Sequence, residues 1–134
     1  MSMADAKLLL DTNVLLSALV DPDTLPSDVQ AQLRDPAITV LFSAASLWEI
    51  AIKASLGRAD FDFSPEDIYQ LALETGFTEV PIQSRHCLPV AKLCWHHRDP
   101  FDRLLVAQAQ SLPAYLLTRD GILAQYSDLV RVVR

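Results

Sequence analysis

Short apolar runs alternate with helix-like segments along the whole chain. Five runs predict buried strands, at residues 7–10, 38–42, 77–82, 114–118 and 129–133. Helical spacing predicts helices between them, at residues 13–20, 28–33, 44–56, 64–76, 84–94 and 100–112, with a short one inside 119–128. Strands that are apolar on both faces are typical of a parallel sheet covered by helices. The sequence therefore predicts an α/β fold, a three-layer sandwich around a mainly parallel sheet, formed by one domain over residues 1–134.

Composition narrows the class of protein. Half of the 134 residues are apolar and a fifth are charged, which favours a globular chain. No apolar run approaches the roughly 20 residues that span a bilayer, and the first residues lack the features of a signal peptide. Cys87 and Cys94 lie seven residues apart on one predicted helix face, so we expect two reduced core cysteines in a cytoplasmic protein.

The net charge of −6 disfavours a broad basic surface for nucleic acid. It does not exclude a nuclease, because carboxylates that hold cations also count as negative charge.

Acidic residues recur where the predicted strands end. Asp11 directly follows the first strand, and Asp120 follows the fourth strand by two residues. Asp102 lies in the first turn of the helix that leads into the fourth strand, and Glu49 lies in the first half of its helix. Because the carboxyl ends of parallel strands share one edge of a sheet, we expect the four acids to converge there.

Each acid also has a purely structural interpretation. Asp11 and Asp120 could cap the helices that follow them, Asp102 could favour its helix N-terminus, and Glu49 could pair with Lys53 four residues on. Together, however, like charges on one rim would repel unless a cation compensates them. Carboxylates without a His or Cys cluster suit hard ions such as Mg²⁺ or Mn²⁺, which bind and polarise phosphate oxygens.

Four blocks of the chain resemble a known family. "LLLDTNVLL", "SAASLWEIAIKASLGR", "HHRDPFDRLLVAQAQ" and "LLTRD" are similar to the successive motifs of PIN-domain ribonucleases, above all the VapC-type toxins of type II toxin–antitoxin systems. The resemblance covers residues 7 to 133. It implies a five-stranded parallel sheet, Mg²⁺- or Mn²⁺-dependent cleavage of RNA, a homodimer, and a small antitoxin whose C-terminal segment wraps the toxin.

The resemblance also implies roles for individual residues. The family's metal-binding and catalytic acids correspond to Asp11, Glu49, Asp102 and Asp120. Asn13 and Thr118 correspond to polar residues that would orient those carboxylates or the attacking water. Asp99 belongs to the third block, where it either contacts metal or caps the helix.

Several basic residues lie near the predicted rim. Candidate contacts to RNA phosphates are Lys53, Arg58, Arg98, Arg103 and Arg119; solvated helix ends and ion pairs are the alternative interpretation. His96 and His97 are interpreted as loop residues and not as catalytic bases.

Two sets of apolar residues have more than one interpretation. Leu19, Val20 and Leu25 could line a groove for an antitoxin helix or belong to the core. Trp48, Phe61, Phe63 and Tyr69 could be core or interface.

The rival functions are a PIN-like DNA nuclease, a non-catalytic metal-binding module, and a phosphatase of the haloacid-dehalogenase type. The last family places a second Asp two residues after the first, where this chain has Asn13.

Overall fold

The computed structural model describes residues 6–95 and 99–134. It has five strands, β1 (Lys7–Leu10), β2 (Thr39–Ser43), β3 (Thr78–Val80), β4 (Tyr115–Thr118) and β5 (Val130–Val132). Its α-helices are α1 (Thr12–Val20), α2 (Ser27–Arg34), α3 (Ala44–Ser55), α4 (Pro65–Thr75), α5 (Ser84–Cys87) and α6 (Pro100–Ser111). Short 3₁₀ segments follow at Pro22–Thr24, Leu88–Lys92 and Gly121–Gln125.

The strands form one parallel sheet in the order β3-β2-β1-β4-β5. The chain builds outward from β1 in one direction through β2 and β3, and then crosses to the other side of β1 for β4 and β5. The order therefore reverses between β1 and β4, and parallel α/β sheets bind their ligands beyond the strand ends at such a point. The predicted α/β sandwich is confirmed.

The core lies on both faces of the sheet because side chains alternate along a strand. In β1, Leu8 and Leu10 pack into one cluster, whereas Leu9 packs into the other, and all three are fully buried. The cluster around Leu9 includes Leu105 and Val106 of α6. The burial of these three leucines makes the end of β1 the packed base from which Asp11 emerges.

Local signals set the starts of the long helices. The Ser43 side chain accepts a hydrogen bond from the Ala45 amide at the start of α3, and Ser64 does the same for Asp67 at the start of α4. Helix α4 ends at Gly76, whose φ of 96° lies in the left-handed region that glycine adopts without strain.

The segment predicted as one helix over residues 84–94 is different. Helix α5 stops at Cys87, and the chain continues as the 3₁₀ segment, because Pro89 cannot donate an α-helical hydrogen bond. Cys87 and Cys94 are free but exposed, so the prediction that they are core residues is wrong. Helix α2 begins at Ser27, and Pro26 occupies its cap position.

The sequence left open whether several apolar residues belong to the core or to an interface, and the structure places them in different environments. Leu25 is buried, Leu19 packs partly buried against the core, and Val20 is exposed. Trp48 and Tyr69 are also exposed. Among the described residues, no helix combines the length and apolarity required to cross a membrane.

Candidate active site

A cleft of about 620 Å³ opens at the carboxyl edge of the sheet, beside the ends of β1 and β4. Its described lining contains five carboxylates, Asp11, Glu49, Asp99, Asp102 and Asp120. Thr12, Asn13, Leu16, Lys53, Phe61, Phe63 and Arg119 complete that lining. The four acids predicted from the sequence therefore meet in one cleft, and Asp99 joins them.

Asp11 is the most buried of the aspartates in the cleft, with 6% of its surface exposed. Its Oδ1 accepts a hydrogen bond of 2.8 Å from the Val14 amide and so caps α1. Burial raises the pKa of the Asp11 carboxyl and the nearby charge of Glu49 raises it further, although hydrogen bonds from Thr118 and Val14 and the charge of Arg119 act in the opposite direction. The charged form of Asp11 is thus less favourable than that of a solvent-exposed aspartate.

Glu49 is held by neighbours on both oxygens. The Thr12 hydroxyl donates to Glu49 Oε1 over 2.7 Å, and Lys53 Nζ lies 2.8 Å from Oε2. Thr12 Oγ1 also lies 2.9 Å from Ser46 Oγ. Since a hydroxyl carries one proton, Ser46 donates to Thr12 while Thr12 donates to Glu49. This chain of hydroxyls and the lysine set the orientation of the Glu49 carboxylate.

The remaining acids lie at helix starts. Asp99 Oδ1 accepts from the amides of Phe101 and Asp102, at 2.8 and 3.3 Å, and caps α6. Asp120 Oδ1 accepts from the Ile122 amide at 3.0 Å, while the Asp120 amide donates to the Thr118 hydroxyl at 3.0 Å. The buried Thr118 therefore contacts both Asp11 and Asp120 and ties the ends of β1 and β4 together. The same aspartates therefore cap helices and also line the cleft.

The donor set matches a hard divalent cation, which prefers carboxylate oxygens. The described lining carries an excess of three formal negative charges, and the raised pKa of Asp11 reflects this crowding in part. Within residues 6–95 and 99–134, no three acidic, histidine or cysteine side chains are already grouped closely enough to coordinate one ion. Repulsion between like charges favours such spacing, so ligation would require the carboxylates to move together or to bind through water.

The basic residues fall into different environments. Lys53 and Arg119 line the cleft. Arg58 instead pairs with Asp60 on the surface, at 3.0 Å. Arg98, His96 and His97 lie outside the described residues.

Arg103 lies elsewhere than the sequence analysis expected. It is 4% exposed, and its guanidinium donates to the backbone oxygens of Val90, Leu93 and Cys94. Its Cζ also lies 4.1 Å from the centre of the Trp95 ring. We therefore remove Arg103 from the candidate phosphate contacts, because its donors hold the chain that precedes α6.

Sequence reasoning missed Thr12 and Ser46, which support Glu49. Thr12 stands between Asp11 and Asn13, both of which the motif identified, and Ser46 precedes Glu49 by three residues on α3. The helical spacing of Ser46 and Glu49 was a usable signal, since residues three apart share a helix face. The contact to Thr12 joins residues 37 positions apart and had no local signal.

The fold agrees with comparisons to known proteins. The family model described as PIN domain matches residues 8–129. The crystal structure of VapBC2 from Rickettsia felis bound to a DNA fragment from its promoter is similar, with a TM-score of 0.67 and 13% identity, covering 96% of this chain and 99% of the other. A domain of a functionally unknown protein from Methanocaldococcus jannaschii is similar as well, with a TM-score of 0.61 and 18% identity, covering 96% and 91%. No curated protein matches this chain in sequence.

The two structural likenesses, at such low identity, concern the fold. The family match covers most of the chain, including the positions of Asp11, Glu49, Asp102 and Asp120. PIN domains are generally nucleases, and the acidic cleft suits that chemistry. The match over residues 8–129 shows that this chain belongs to the PIN-domain family.

Proposed function

We propose that this chain is a Mg²⁺- or Mn²⁺-dependent endoribonuclease that hydrolyses RNA phosphodiester bonds. The observation that carries the proposal is the cleft at the reversal of strand order, where carboxylates from four separate sequence blocks of a PIN domain line one cavity. No His or Cys lines the described part of this cleft, so the donor set favours hard cations.

Asp11, Glu49, Asp102 and Asp120 would hold the ions, directly or through water. Bound divalent cations would polarise the phosphate and lower the pKa of a water molecule. Thr118 holds Asp11 and Asp120 in fixed positions relative to each other through its hydrogen bonds to both. Asp99 caps the start of α6, where Asp102 faces the cleft.

Lys53 is the better-exposed cation of the cleft. Its side chain is 49% exposed and already lies against Glu49. If Glu49 held a metal ion, the Lys53 ammonium would be available to contact an RNA phosphate.

We further propose that the nuclease is the toxin of a toxin–antitoxin pair, a homodimer that works in the cytoplasm. The likeness in fold to the Rickettsia felis VapBC2 structure, over nearly the full length of both chains, supports the toxin–antitoxin part of this proposal. The partner would be a small antitoxin that covers the cleft. Co-expression with the adjacent reading frame should relieve growth arrest and yield a co-purified complex; toxicity that no adjacent small protein relieves would contradict the pairing.

The catalytic proposal is tested with RNA and DNA substrates in Mn²⁺, with and without EDTA. The wild type should cleave RNA only when the metal is free, and Asp11→Asn and Asp102→Asn should each lose at least about 100-fold in rate while remaining folded. Glu74→Gln, which makes the same charge change on the exposed surface of α4, should retain full activity. Undiminished cleavage by either Asn variant would refute the site. Cleavage of DNA alone, or a trapped aspartyl-phosphate, would replace the proposed activity with a rival.

A further inference from the structure

Arg119 is engaged by α1 and by the turn that follows it. One terminal nitrogen, Nη1, donates to Asn13 Oδ1 at 2.5 Å and to Ser17 Oγ at 2.8 Å. The other, Nη2, donates to the backbone oxygen and the hydroxyl of Thr24, at 3.2 and 3.3 Å. An arginine has five N–H donors, so four of the five are used inside the protein. Arg119 thus has at most one donor left for a phosphate. It acts mainly as a brace, a residue that holds α1 and the following turn in place.

The contact with Arg119 also determines how the Asn13 amide is oriented. The oxygen and nitrogen of an asparagine amide are usually assigned from their partners. Here the partner is a guanidinium, which can only donate, so the atom that faces Arg119 is the amide oxygen. The group that Asn13 can offer to a ligand is therefore the Nδ2 donor.

Asn13 lies in the cleft wall and is exposed, two residues after the buried Asp11. A hard divalent cation requires oxygen ligands, and the only side-chain oxygen of Asn13 already accepts from the Arg119 guanidinium, whose positive charge disfavours a cation at the same oxygen. A phosphate oxygen, by contrast, accepts hydrogen bonds from amide N–H groups. The chemistry of the exposed end of Asn13 thus matches the substrate better than the metal.

From these contacts we propose that Asn13 is a substrate-binding residue that donates a hydrogen bond from Nδ2 to a phosphate oxygen of RNA, and that Arg119 is the positioning residue that orients it. The proposal rests on the ribonuclease function above and assigns roles within that site. It excludes Asn13 as a metal ligand and Arg119 as a bidentate phosphate contact.

The discriminating variant is Asn13→Asp, which keeps the shape and replaces the donor by a carboxylate. KM and kcat are measured on a short single-stranded RNA that the wild type cleaves, and the Mn²⁺ Kd is measured by calorimetry without RNA. We expect KM to rise at least about tenfold, since a donor is lost and a negative charge faces the phosphate, with a Mn²⁺ Kd that is unchanged or tighter. Asn13→Ser, which restores a short donor, should recover part of the affinity for RNA.

The role of Arg119 is tested by a double-mutant cycle. Arg119→Met should raise KM about as much as Asn13→Ala does, and the double variant should add little, because both remove the same oriented donor. Ser17→Ala is the matched control that removes one brace contact and leaves Asn13 bonded to Arg119. If the Met variant unfolds, Arg119→Lys takes its place in the same cycle, because a single ammonium group cannot reproduce the four contacts of the guanidinium.

Two results would overturn the proposal. Weaker Mn²⁺ binding by Asn13→Ala, with an unchanged KM, would make Asn13 a metal ligand; fully additive effects of Asn13→Ala and Arg119→Met would make Arg119 an independent phosphate contact. A wild type that cleaves no RNA would remove the proposed function instead, and in that case the Mn²⁺ titration of Asn13→Ala still decides whether Asn13 binds metal.

Discussion

Replacing Thr12 by valine tests how the fold holds Glu49. The two side chains have the same shape, but valine removes the hydroxyl that donates to Glu49 Oε1 and accepts from Ser46. Thr12 is 7% exposed and Glu49 is equally buried, so water does not readily replace the lost donor.

The magnitude follows from the contacts. A hydrogen bond to a charged group contributes about 1.5–3 kcal/mol, and Glu49 retains Lys53 on its other oxygen. We therefore expect Thr12→Val to lower the free energy of unfolding by about 2 kcal/mol, which for a domain of this size lowers Tm by about 8 °C. Because loss of an orienting partner typically costs 10–100-fold in metal affinity or activity, kcat/KM for RNA should fall by about that factor.

The assay combines thermal unfolding in EDTA, Mn²⁺ calorimetry and RNA cleavage. Thr12→Ser keeps the hydroxyl and should lose only about 1 kcal/mol for the missing methyl, with activity close to the wild type. Ser46→Ala should fall between the two variants, since Thr12 still donates to Glu49. A Thr12→Val variant with wild-type stability and wild-type cleavage would show that the hydroxyl chain does not hold Glu49.

Three further predictions concern buried polar groups. In EDTA at pH 7, the Asp11→Asn variant should have a Tm at least as high as that of the wild type. The substitution removes a charge that burial disfavours and keeps an oxygen that accepts from the Val14 amide. A large fall in Tm would contradict this prediction. The pKa of His86 is lowered by burial and by Arg85, so the unfolded chain binds more protons, and stability should fall as the pH drops below about 6.5. His86→Asn, which stays neutral and can still accept from the Gln83 amide, should flatten the unfolding free energy between pH 7 and 5; an unchanged slope would exclude His86 as the source. Arg103→Met should lower Tm by about 10 °C or more, since it leaves three backbone oxygens without their buried donor, and a normal Tm would refute that bracing role.

Much of the architecture was readable in the sequence because it depends on local signals. Lys7–Leu10 is apolar on every inward position, Ser64, Pro65 and Gly76 mark both ends of α4, and Asp99 and Pro100 mark the start of α6. These features follow from hydrophobic periodicity and capping, which act within a few residues.

The convergence of the acids followed from one topological rule. Parallel strands place their carboxyl ends on one edge, so Asp11 and Asp120 were expected together before any contact was known. Helices that return across such a sheet bring Asp102 to the same edge. The rule gives the neighbourhood of these side chains, and it does not give their hydrogen-bond partners.

Those partners were decided by tertiary packing. Arg103 and Arg119 have the same side chain, yet one is buried under backbone carbonyls while the other braces Asn13, because different elements fold against them. The contact between Thr12 and Glu49 likewise joins separate elements. Hydrogen bonds between distant residues depend on where separate segments of the chain meet in space, and neither periodicity nor spacing along the sequence contains that information.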